Sequence, residues 1–275
     1  TPGRLLDLMD QGHVVLDEIE HFVLDEADRM LDMGFIRDVR KIIAELPRQR
    51  QTQLFSATMP TEIAKLSKEI LDNPVRVDIA PKAVALETIR QGMHFVEPTK
   101  KLDLLCNLLG DKALSRVIVF TRTKHRANRV AERLERSGIS ADAIHGNKSQ
   151  GARQRALESF RNGKVRVLVA TDIAARGIDV PGVTHVINFE MPVDAESYVH
   201  RIGRTARAGA DGAALSLCAT EEAGLLKDIE RLIGNKVPVE SGERPEGNAR
   251  PKQGGGGNRQ GGGKGGGHGN VRAHS

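Results

Sequence analysis

The stretch Phe22-Val23-Leu24-Asp25-Glu26-Ala27-Asp28 decides how the chain is interpreted. An apolar run leads directly into a cluster of carboxylates, which is the pattern of a buried strand whose last residues face a crevice. Parallel α/β sheets bind their ligands at the carboxyl ends of their strands. An acidic cluster that stands alone is usually a solvated turn. The choice between a ligand-binding strand end and a solvated turn therefore depends on the segments that follow.

Strand-like and helix-like segments alternate after this stretch. Apolar residues at helical spacing predict one helix over 29–46, which Pro47 ends. A short strand over 52–55 and a helix over 61–71 follow. This β-α-β-α order is typical of a parallel sheet.

A second alternation begins after a break in periodicity at Ala80-Pro81-Lys82-Ala83, where we predict a linker. Strands are predicted over 117–120, 141–144, 165–170, 183–189 and 213–217, and helices over 124–137, 150–160, 194–202 and 221–233. The predicted domains are 1–79, a linker and lead-in over 80–97, a second domain over 98–240, and a tail over 241–275. The fold class is α/β, with two parallel-sheet domains.

Composition excludes some classes of protein. No apolar run approaches the ~20 residues that would span a bilayer, so no membrane segment is predicted. Cys106 and Cys218 lack metal-ligand spacing and fit a reducing cytoplasm. One Tyr, seven Phe and no Trp argue against a surface that stacks bases on aromatic rings.

The tail from Ser241 is rich in Gly and predicts disorder, because it cannot bury enough apolar surface to offset the entropy of ordering. It carries six Lys or Arg and two Glu, which leaves four of the five net positive charges in the tail. Two interpretations stay open: a solubilising linker, or an arm that binds RNA phosphates. The charge favours the arm.

Seven motifs follow one another along the chain: Thr1-Pro2-Gly3-Arg4, Asp25-Glu26-Ala27-Asp28, Ser56-Ala57-Thr58, VIVFTRT at 117–123, HGNKSQGAR at 145–153, ATDIAARGID at 170–179 and HRIGRTAR at 200–207. In this order they resemble those of DEAD-box RNA helicases, of the bacterial RhlE-like type. The resemblance implies two RecA-like domains. Ala206 departs from it, since most members have Gly there.

A phosphate-binding loop of the form G-x-x-x-x-G-K-[ST] does not occur in the 275 residues. The resemblance therefore implies that this loop and the adenine-reading segment lie upstream of Thr1. We expect the first RecA-like domain to be incomplete here, with exposed strand edges and apolar faces.

The resemblance also implies the cofactors ATP and Mg²⁺ and assigns the residues that meet them. Asp25 would hold Mg²⁺ through water, and Glu26 would orient or deprotonate the attacking water. Arg204 and Arg207 would act as arginine fingers. The remaining residues would serve the nucleotide and its coupling to domain closure: Asp179 at the ribose, His200 and Arg201 in organising their loop, and Asp28, Ser56 and Thr58 in coupling.

RNA is the partner that the resemblance implies, together with ribonucleoprotein or RNA-degradation partners. Residues at family RNA-binding positions are Thr1, Gly3, Arg4, Arg122, Gln150, Arg153, Thr171 and Gly177. Phosphate contacts carry no sequence information, so the core is predicted to be largely sequence-blind.

Three functions remain open from the sequence. The first is an ATP-dependent RNA helicase that couples hydrolysis to RNA clamping and local duplex unwinding. The second is a nucleotide-independent RNA-binding or annealing module, since the phosphate-binding loop is absent from the sequence. A DNA translocase is weaker, because the DEAD tetrad together with Ser-Ala-Thr points to RNA.

Overall fold

The computed structural model describes residues 1–78, 89–175, 178–206 and 211–245. The chain divides into two compact units, which we call unit 1 (Thr1–Ala80) and unit 2 (Pro81–Ser275). Within the described ranges, no helix combines the length and the apolar character needed to cross a membrane.

Unit 1 has a pair of parallel strands covered by helices. Its elements are α1 (Pro2–Asp10), β1 (His21–Leu24), α2 (Ala27–Asp32), α3 (Ile36–Ala44), β2 (Gln51–Leu54) and α4 (Thr61–Ile70). The two strands are in register from His21–Gln51 to Leu24–Leu54. Leu24, Ile63 and Leu66 belong to the core beneath the helices. Val23, on the opposite face of β1, is 52% exposed, so the strand that the sequence predicted to be buried is buried on one face only.

The single helix predicted over 29–46 is wrong, because the chain forms two helices there. Gly34 has a φ of 74°, which glycine adopts at little cost. The N–H of Phe35 donates to the carbonyl of Met30 at 2.9 Å, a Schellman-type end to α2. Apolar spacing continued through the break because both helices contact the same core.

Unit 2 is built on seven strands. These are β3 (Ile89–Phe95), β4 (Val117–Thr121), β5 (Ala141–Ile144), β6 (Val167–Thr171), β7 (His185–Asn188), β8 (Gly212–Cys218) and β9 (Val239–Ser241). They form one sheet in the order β5-β6-β4-β7-β8-β3-β9, and every recorded pairing is parallel.

Helices cover both faces of this sheet. They are α5 (Lys101–Gly110), α6 (Lys124–Arg136), α7 (Gln150–Arg161), α8 (Asp172–Ala175), α9 (Ala195–Ile202) and α10 (Ala223–Ile233), with a 3₁₀ turn at Thr220–Glu222. In β4, Val117 and Val119 pack with α5 and α6, whereas Ile118 and Phe120 pack with α7 and α8. This alternation on a sheet buried on both faces confirms the predicted α/β class with parallel sheets.

Residues 89–95, placed in the linker and lead-in by the sequence, form β3 between β8 and β9. The sequence did not predict this strand, because the polar residues Arg90, Gln91 and His94 interrupt the apolar pattern of a buried strand. Gly92 fits because a Cβ there would lie 2.7 Å from the Glu240 side chain.

The prediction that disorder starts at Ser241 is wrong for residues 241–245. Ser241 ends β9, and its Oγ lies 2.8 Å from Nδ1 of His94. Arg244 donates to both carboxylate oxygens of Glu230 at 2.9 Å, and its guanidinium lies 5.6 Å from the centre of the Phe95 ring. These contacts are polar and distant in sequence, so composition could not indicate them. The rest of the predicted tail, 246–275, lies outside the described residues.

The two cysteines occupy different environments, and both are free thiols. Cys106 is partly buried on α5, and its Sγ lies 3.7 Å from Oγ of Ser137. Cys218 is buried, and burial raises the pKa of its thiol to about 12.

We predict that deleting 246–275 leaves the melting temperature unchanged, while deleting 239–275 lowers it. The longer deletion removes β9 and the Arg244–Glu230 pair and uncovers the edge of β3. Each ~1 kcal/mol lost should lower the midpoint by about 2–4 °C. Scanning calorimetry of the two truncations beside the 275-residue chain measures this. Equal midpoints for both truncations would contradict the packing of residues 239–245.

Candidate nucleotide and RNA site

The acidic cluster lies where β1 ends. Glu26 adopts a left-handed conformation, with φ 50° and ψ 45°, which is uncommon for a residue with a side chain. Its N–H donates to Oδ1 of Asp25 at 2.8 Å. Both carboxylate oxygens of Glu26 lie 3.2 Å from Nη1 of Arg29. The chain therefore turns sharply at the end of the strand, as backbones often do at functional sites.

The three predicted coupling residues form one hydrogen-bonded network. Oδ2 of Asp28 accepts from the backbone N–H of Thr58 at 2.8 Å and from its hydroxyl at 2.9 Å. The N–H of Asp28 donates to Oγ of Ser56 at 3.0 Å, and that hydroxyl donates to the carbonyl of Thr58 at 2.7 Å. The acidic motif after β1 and the Ser-Ala-Thr motif after β2 are thereby tied together.

Asp25 fits the role predicted for Mg²⁺. Magnesium is usually held by one or two carboxylates, with phosphate and water completing its octahedron. Asp25 is an exposed carboxylate at the end of a strand. Among the described residues, no group of three or more His, Cys, Asp and Glu could enclose a metal by itself. This donor set suits an ion shared with a bound phosphate rather than a closed protein site.

Arg201 holds together the ends of several strands in unit 2. Its side chain is buried, and two of its nitrogens contact the carboxylate of Asp172 at 2.6 and 2.7 Å. Nη1 donates to Oδ1 of Asn188 at 3.1 Å and to the carbonyl of Glu190 at 2.8 Å. The guanidinium also lies 5.1 Å from the centre of the Phe120 ring. This geometry favours an organising role for Arg201 over direct contact with a nucleotide.

Arg204 lies close to the segment that carries Asp179. Its Nη1 donates to the carbonyl of Ile178 at 2.9 Å, and the carbonyl of Asp179 accepts from Nη2 of Arg161 at 2.9 Å. His200 lies in the last turn of α9. The structure therefore brings Arg204 next to the predicted ribose residue. Arg207 lies outside the described residues.

The backbone conformation at Ala206 explains why most family members have glycine at this position. Its φ is 53°, in the left-handed region that disfavours a Cβ. A left-handed conformation costs a residue with a side chain roughly 1–2 kcal/mol. The departure from the family pattern is tolerated but strains the backbone beside Arg207.

The predicted RNA residues of unit 1 lie at the start of α1. Thr1 occupies the N-cap position of this helix without a side-chain capping hydrogen bond, Pro2 is the first helical residue, and Gly3 and Arg4 lie in the first turn. Pro2 fits there because the first helical N–H has no partner within the helix. Arg4 pairs with Asp7 on the surface, so its charge is partly neutralised in this structure.

In unit 2 the predicted RNA residues differ in how free their side chains are. Gln150 begins α7, and Arg153 follows one turn later. Thr171 is buried at the end of β6. The guanidinium of Arg122 pairs with Glu222 and donates to the carbonyl of Met191 at 2.8 Å, so its cation is already engaged. Gly177 lies outside the described residues.

Two buried polar groups were missed by the sequence. Lys101 pairs with Glu222 inside unit 2 and donates to the carbonyls of Phe189 and Leu217 at 3.1 and 2.7 Å. His145 of the HGNKSQGAR motif has its Nε2 2.8 Å from Oδ1 of Asn128. Burial, with help from nearby cations such as Lys148, lowers the pKa of this His145. No spacing rule could have paired residues so distant in sequence.

Both units are parallel α/β structures. Unit 1 has carboxylates at the end of a strand, and unit 2 has arginines in the HRIGRTAR sequence motif. This combination is that of RecA-like helicase domains. Residues 1–66 match the family model for the DEAD/DEAH box helicase, and residues 100–209 match that for the helicase conserved C-terminal domain. The chain belongs to the DEAD-box RNA helicase family.

Curated relatives carry names from this family. The chain is 47% identical over 88% of its length to "ATP-dependent RNA helicase RhlB" of Pseudomonas syringae, of which it covers 61%. It is 46% identical over 86% of its length to "DEAD-box ATP-dependent RNA helicase CshA" of Geobacillus kaustophilus, of which it covers 51%. The chain thus spans about half to three fifths of these relatives. The RhlE-like subtype stays a prediction.

Solved structures agree with the fold. Dbp5 of S. cerevisiae bound to RNA and ADP BeF3 matches with a TM-score of 0.80 and 33% identity, over 88% of this chain and 64% of that one. E. coli SrmB bound to the regulator of ribonuclease activity A matches with a TM-score of 0.54 and 40% identity, over 58% of this chain and 96% of that one.

We predict that Arg201→Ala destabilises unit 2 by about 3–5 kcal/mol, because it leaves Asp172 and Asn188 without their buried partner. Urea unfolding of the 275-residue chain measures the change. Arg231→Ala is the matched control, since Arg231 is 79% exposed and should shift the midpoint little. Equal midpoints for the two variants would contradict the central place of Arg201.

Proposed function

We propose that the chain forms part of an ATP-dependent RNA helicase that couples ATP hydrolysis to RNA clamping and local duplex unwinding. One observation carries the proposal: the network of Asp28, Ser56 and Thr58 ties the acidic strand end to the next strand end. The names of the curated relatives support it. The activity belongs to the longer protein, since the chain covers 61% of RhlB.

Hydrolysis would occur at the carboxyl end of β1. Bound MgATP supplies a phosphoryl group on which charge develops during transfer. Asp25 would hold the Mg²⁺ side of this group. Glu26 would orient the attacking water and accept its proton, while Arg29, 3.2 Å away, keeps the carboxylate of Glu26 in place.

Unit 2 carries the arginines that we propose for the reaction. Arg204 and Arg207 would neutralise charge that develops on the phosphoryl oxygens. Arg201 would keep their loop in place through Asp172, and His200 would act with it. Asp179 would meet the ribose, and the carbonyl of its neighbour Ile178 already accepts from Arg204.

RNA would bind mainly through its phosphates. The residues proposed to contact it are Thr1, Gly3, Arg4, Gln150, Arg153, Thr171 and Gly177, with Arg122 available once its pair with Glu222 opens. The RNA-bound state of the Dbp5 relative supports an RNA partner. Ribonucleoprotein or RNA-degradation partners and a cytoplasmic location complete the proposal.

A nucleotide-independent RNA-binding or annealing module is the second candidate. Its basis is that no G-x-x-x-x-G-K-[ST] loop occurs in the 275 residues. The two candidates differ in one property: the helicase hydrolyses ATP, and the RNA-binding or annealing module does not.

We predict that the 275-residue chain alone binds RNA in a salt-sensitive way and shows no RNA-stimulated ATPase. Asp25 and Glu26 have no phosphate-binding loop to work with in this sequence. Fluorescence anisotropy and a phosphate-release assay measure the two properties. RNA-stimulated turnover by the purified chain would mean that another segment binds the phosphates, and the division of labour proposed above would be wrong.

In the longer protein with a phosphate-binding loop, we predict that Glu26→Gln keeps ATP binding and lowers hydrolysis on the order of 10²- to 10⁴-fold. Glutamine has the same size but cannot accept the proton of the water. Steady-state ATPase and nucleotide binding check this, with the exposed Glu45→Gln as the control. Turnover within a few-fold of the parent protein would remove Glu26 from the chemistry and favour the RNA-binding module.

A further inference from the structure

Three charged side chains meet at the carboxyl ends of β4, β7 and β8 in unit 2. Glu222, which ends the 3₁₀ turn after β8, pairs with Lys101 at the start of α5 and with Arg122 directly after β4. One cation is enough to pair a buried carboxylate. The second cation therefore calls for an explanation.

The carboxylate of Glu222 accepts four hydrogen bonds. Oε1 accepts from Nη2 of Arg122 and from the backbone N–H of Met191 at 3.2 Å. Oε2 accepts from Nζ of Lys101 and from the backbone N–H of Ala219 at 3.0 Å. If Arg122 leaves, the carboxylate keeps three donors and one full counter-charge. It therefore avoids the costly state of a buried charge without a partner.

The two cations differ in their access to solvent. The side chain of Lys101 is 5% exposed, and its ammonium also donates to the carbonyls of Phe189 and Leu217 at 3.1 and 2.7 Å. The side chain of Arg122 is 34% exposed. The backbone N–H of Arg122 donates to Oε2 of Glu190 at 2.9 Å, which holds the main chain in place when the side chain turns outward. Lys101 is thus the permanent partner of the carboxylate, and Arg122 is the partner that solvent can reach.

The contact between Arg122 and Glu222 leaves room for a better anion. Arg122 reaches the carboxylate through Nη2 and uses Nε for the carbonyl of Met191 at 2.8 Å. The strongest pairs of arginine with an anion place two parallel N–H groups on the same anion, and phosphate suits this fork. A phosphate that approaches from solvent therefore offers Arg122 a geometry that Glu222 does not.

We propose that an RNA phosphate takes the place of the Glu222 carboxylate on Arg122, and that Lys101 is the positioning residue that holds the carboxylate after Arg122 leaves. This exchange depends on the proposed RNA-binding function, in which Arg122 contacts RNA. Lys101 and Glu222 then determine how much RNA affinity Arg122 contributes, although neither of them contacts RNA.

Lys101→Met tests the positioning role in the 275-residue chain. Glu222 then has Arg122 as its only cation and holds it more tightly. The affinity for a labelled uridine decamer, measured by fluorescence anisotropy, should fall about 10-fold, the order of one charge-assisted hydrogen bond. The log–log salt slope should become shallower by about 0.7, because one phosphate contact is lost. Lys100→Met removes the same charge from the exposed neighbouring residue and should keep the salt slope of the unaltered chain.

Lys101→Met/Glu222→Gln tests the exchange at constant net charge. Glutamine keeps an oxygen for the N–H groups of Met191 and Ala219, but it has no charge with which to hold Arg122. Replacing both members of a buried ion pair together is often neutral for stability. The affinity for the decamer should rise about 2- to 5-fold above that of the unaltered chain, the equivalent of a partly exposed ion pair. The single and the double variant should therefore change RNA affinity in opposite directions.

Two further measurements separate this role from an effect on stability. In a chain that carries Arg122→Ala, the changes at 101 and 222 should leave RNA affinity within about 2-fold, because they are coupled to RNA only through Arg122. Thermal unfolding of every variant, followed by circular dichroism, identifies the temperatures at which each is folded. If Lys101→Met alone does not fold, the double variant and the Arg122→Ala chain still decide the question.

Equal affinities of Lys101→Met/Glu222→Gln and the unaltered chain would overturn the exchange. A folded Lys101→Met chain with the salt slope of the unaltered chain would overturn it as well. In both cases RNA binding would stand, and so would the proposed function. If the unaltered chain binds no decamer at low salt, the RNA-binding function fails, and the exchange fails with it.

Discussion

The pairing of Arg201 with Asp172 is the interaction on which the functional end of unit 2 depends. Burying a guanidinium is costly unless every donor finds an acceptor. Here Asp172, at the start of α8, and Asn188 and the carbonyl of Glu190, both at the end of β7, accept hydrogen bonds from Arg201. The segments that carry Thr171 and Arg204 are fixed in relation to each other by one side chain.

Unit 1 also has a buried charged side chain whose hydrogen bonds connect neighbouring loops, but here the charge is negative. Asp28 is a buried carboxylate that accepts from the backbone and hydroxyl of Thr58 and receives support from Ser56. Parallel strands bring their carboxyl ends to one edge of a sheet. Hydrogen bonds between short polar side chains then hold the loops that follow the strands in place. Of the residues proposed for catalysis beside this network, Asp25 is exposed and Glu26 is half-buried. The residues that hold the loops in place, Asp28, Ser56 and Thr58, are therefore different from those proposed to contact a ligand.

Sequence patterns predicted the parts of the fold that follow local rules. Strands such as Val117–Thr121 are continuous apolar runs, and helices such as Gln150–Arg161 carry their periodicity in the chain itself. The break at Gly34 was missed because apolar spacing continues across it. β3 was missed because it contains polar residues, of which Gln91 and His94 are paired with Tyr198 and Ser241, both distant in sequence. The packing of Arg244 on Glu230 and Phe95 arises only from tertiary structure.

The two thiols have a practical consequence for spectroscopy. A thiol reacts as its thiolate. Burial raises the pKa of the Cys218 thiol to about 12, so this buried side chain is protonated at neutral pH. Cys106 is partly exposed on α5. A maleimide dye is therefore expected to label Cys106 in preference to Cys218, on the α5 side of the sheet, and its fluorescence can follow unit 2 without engineering the sequence.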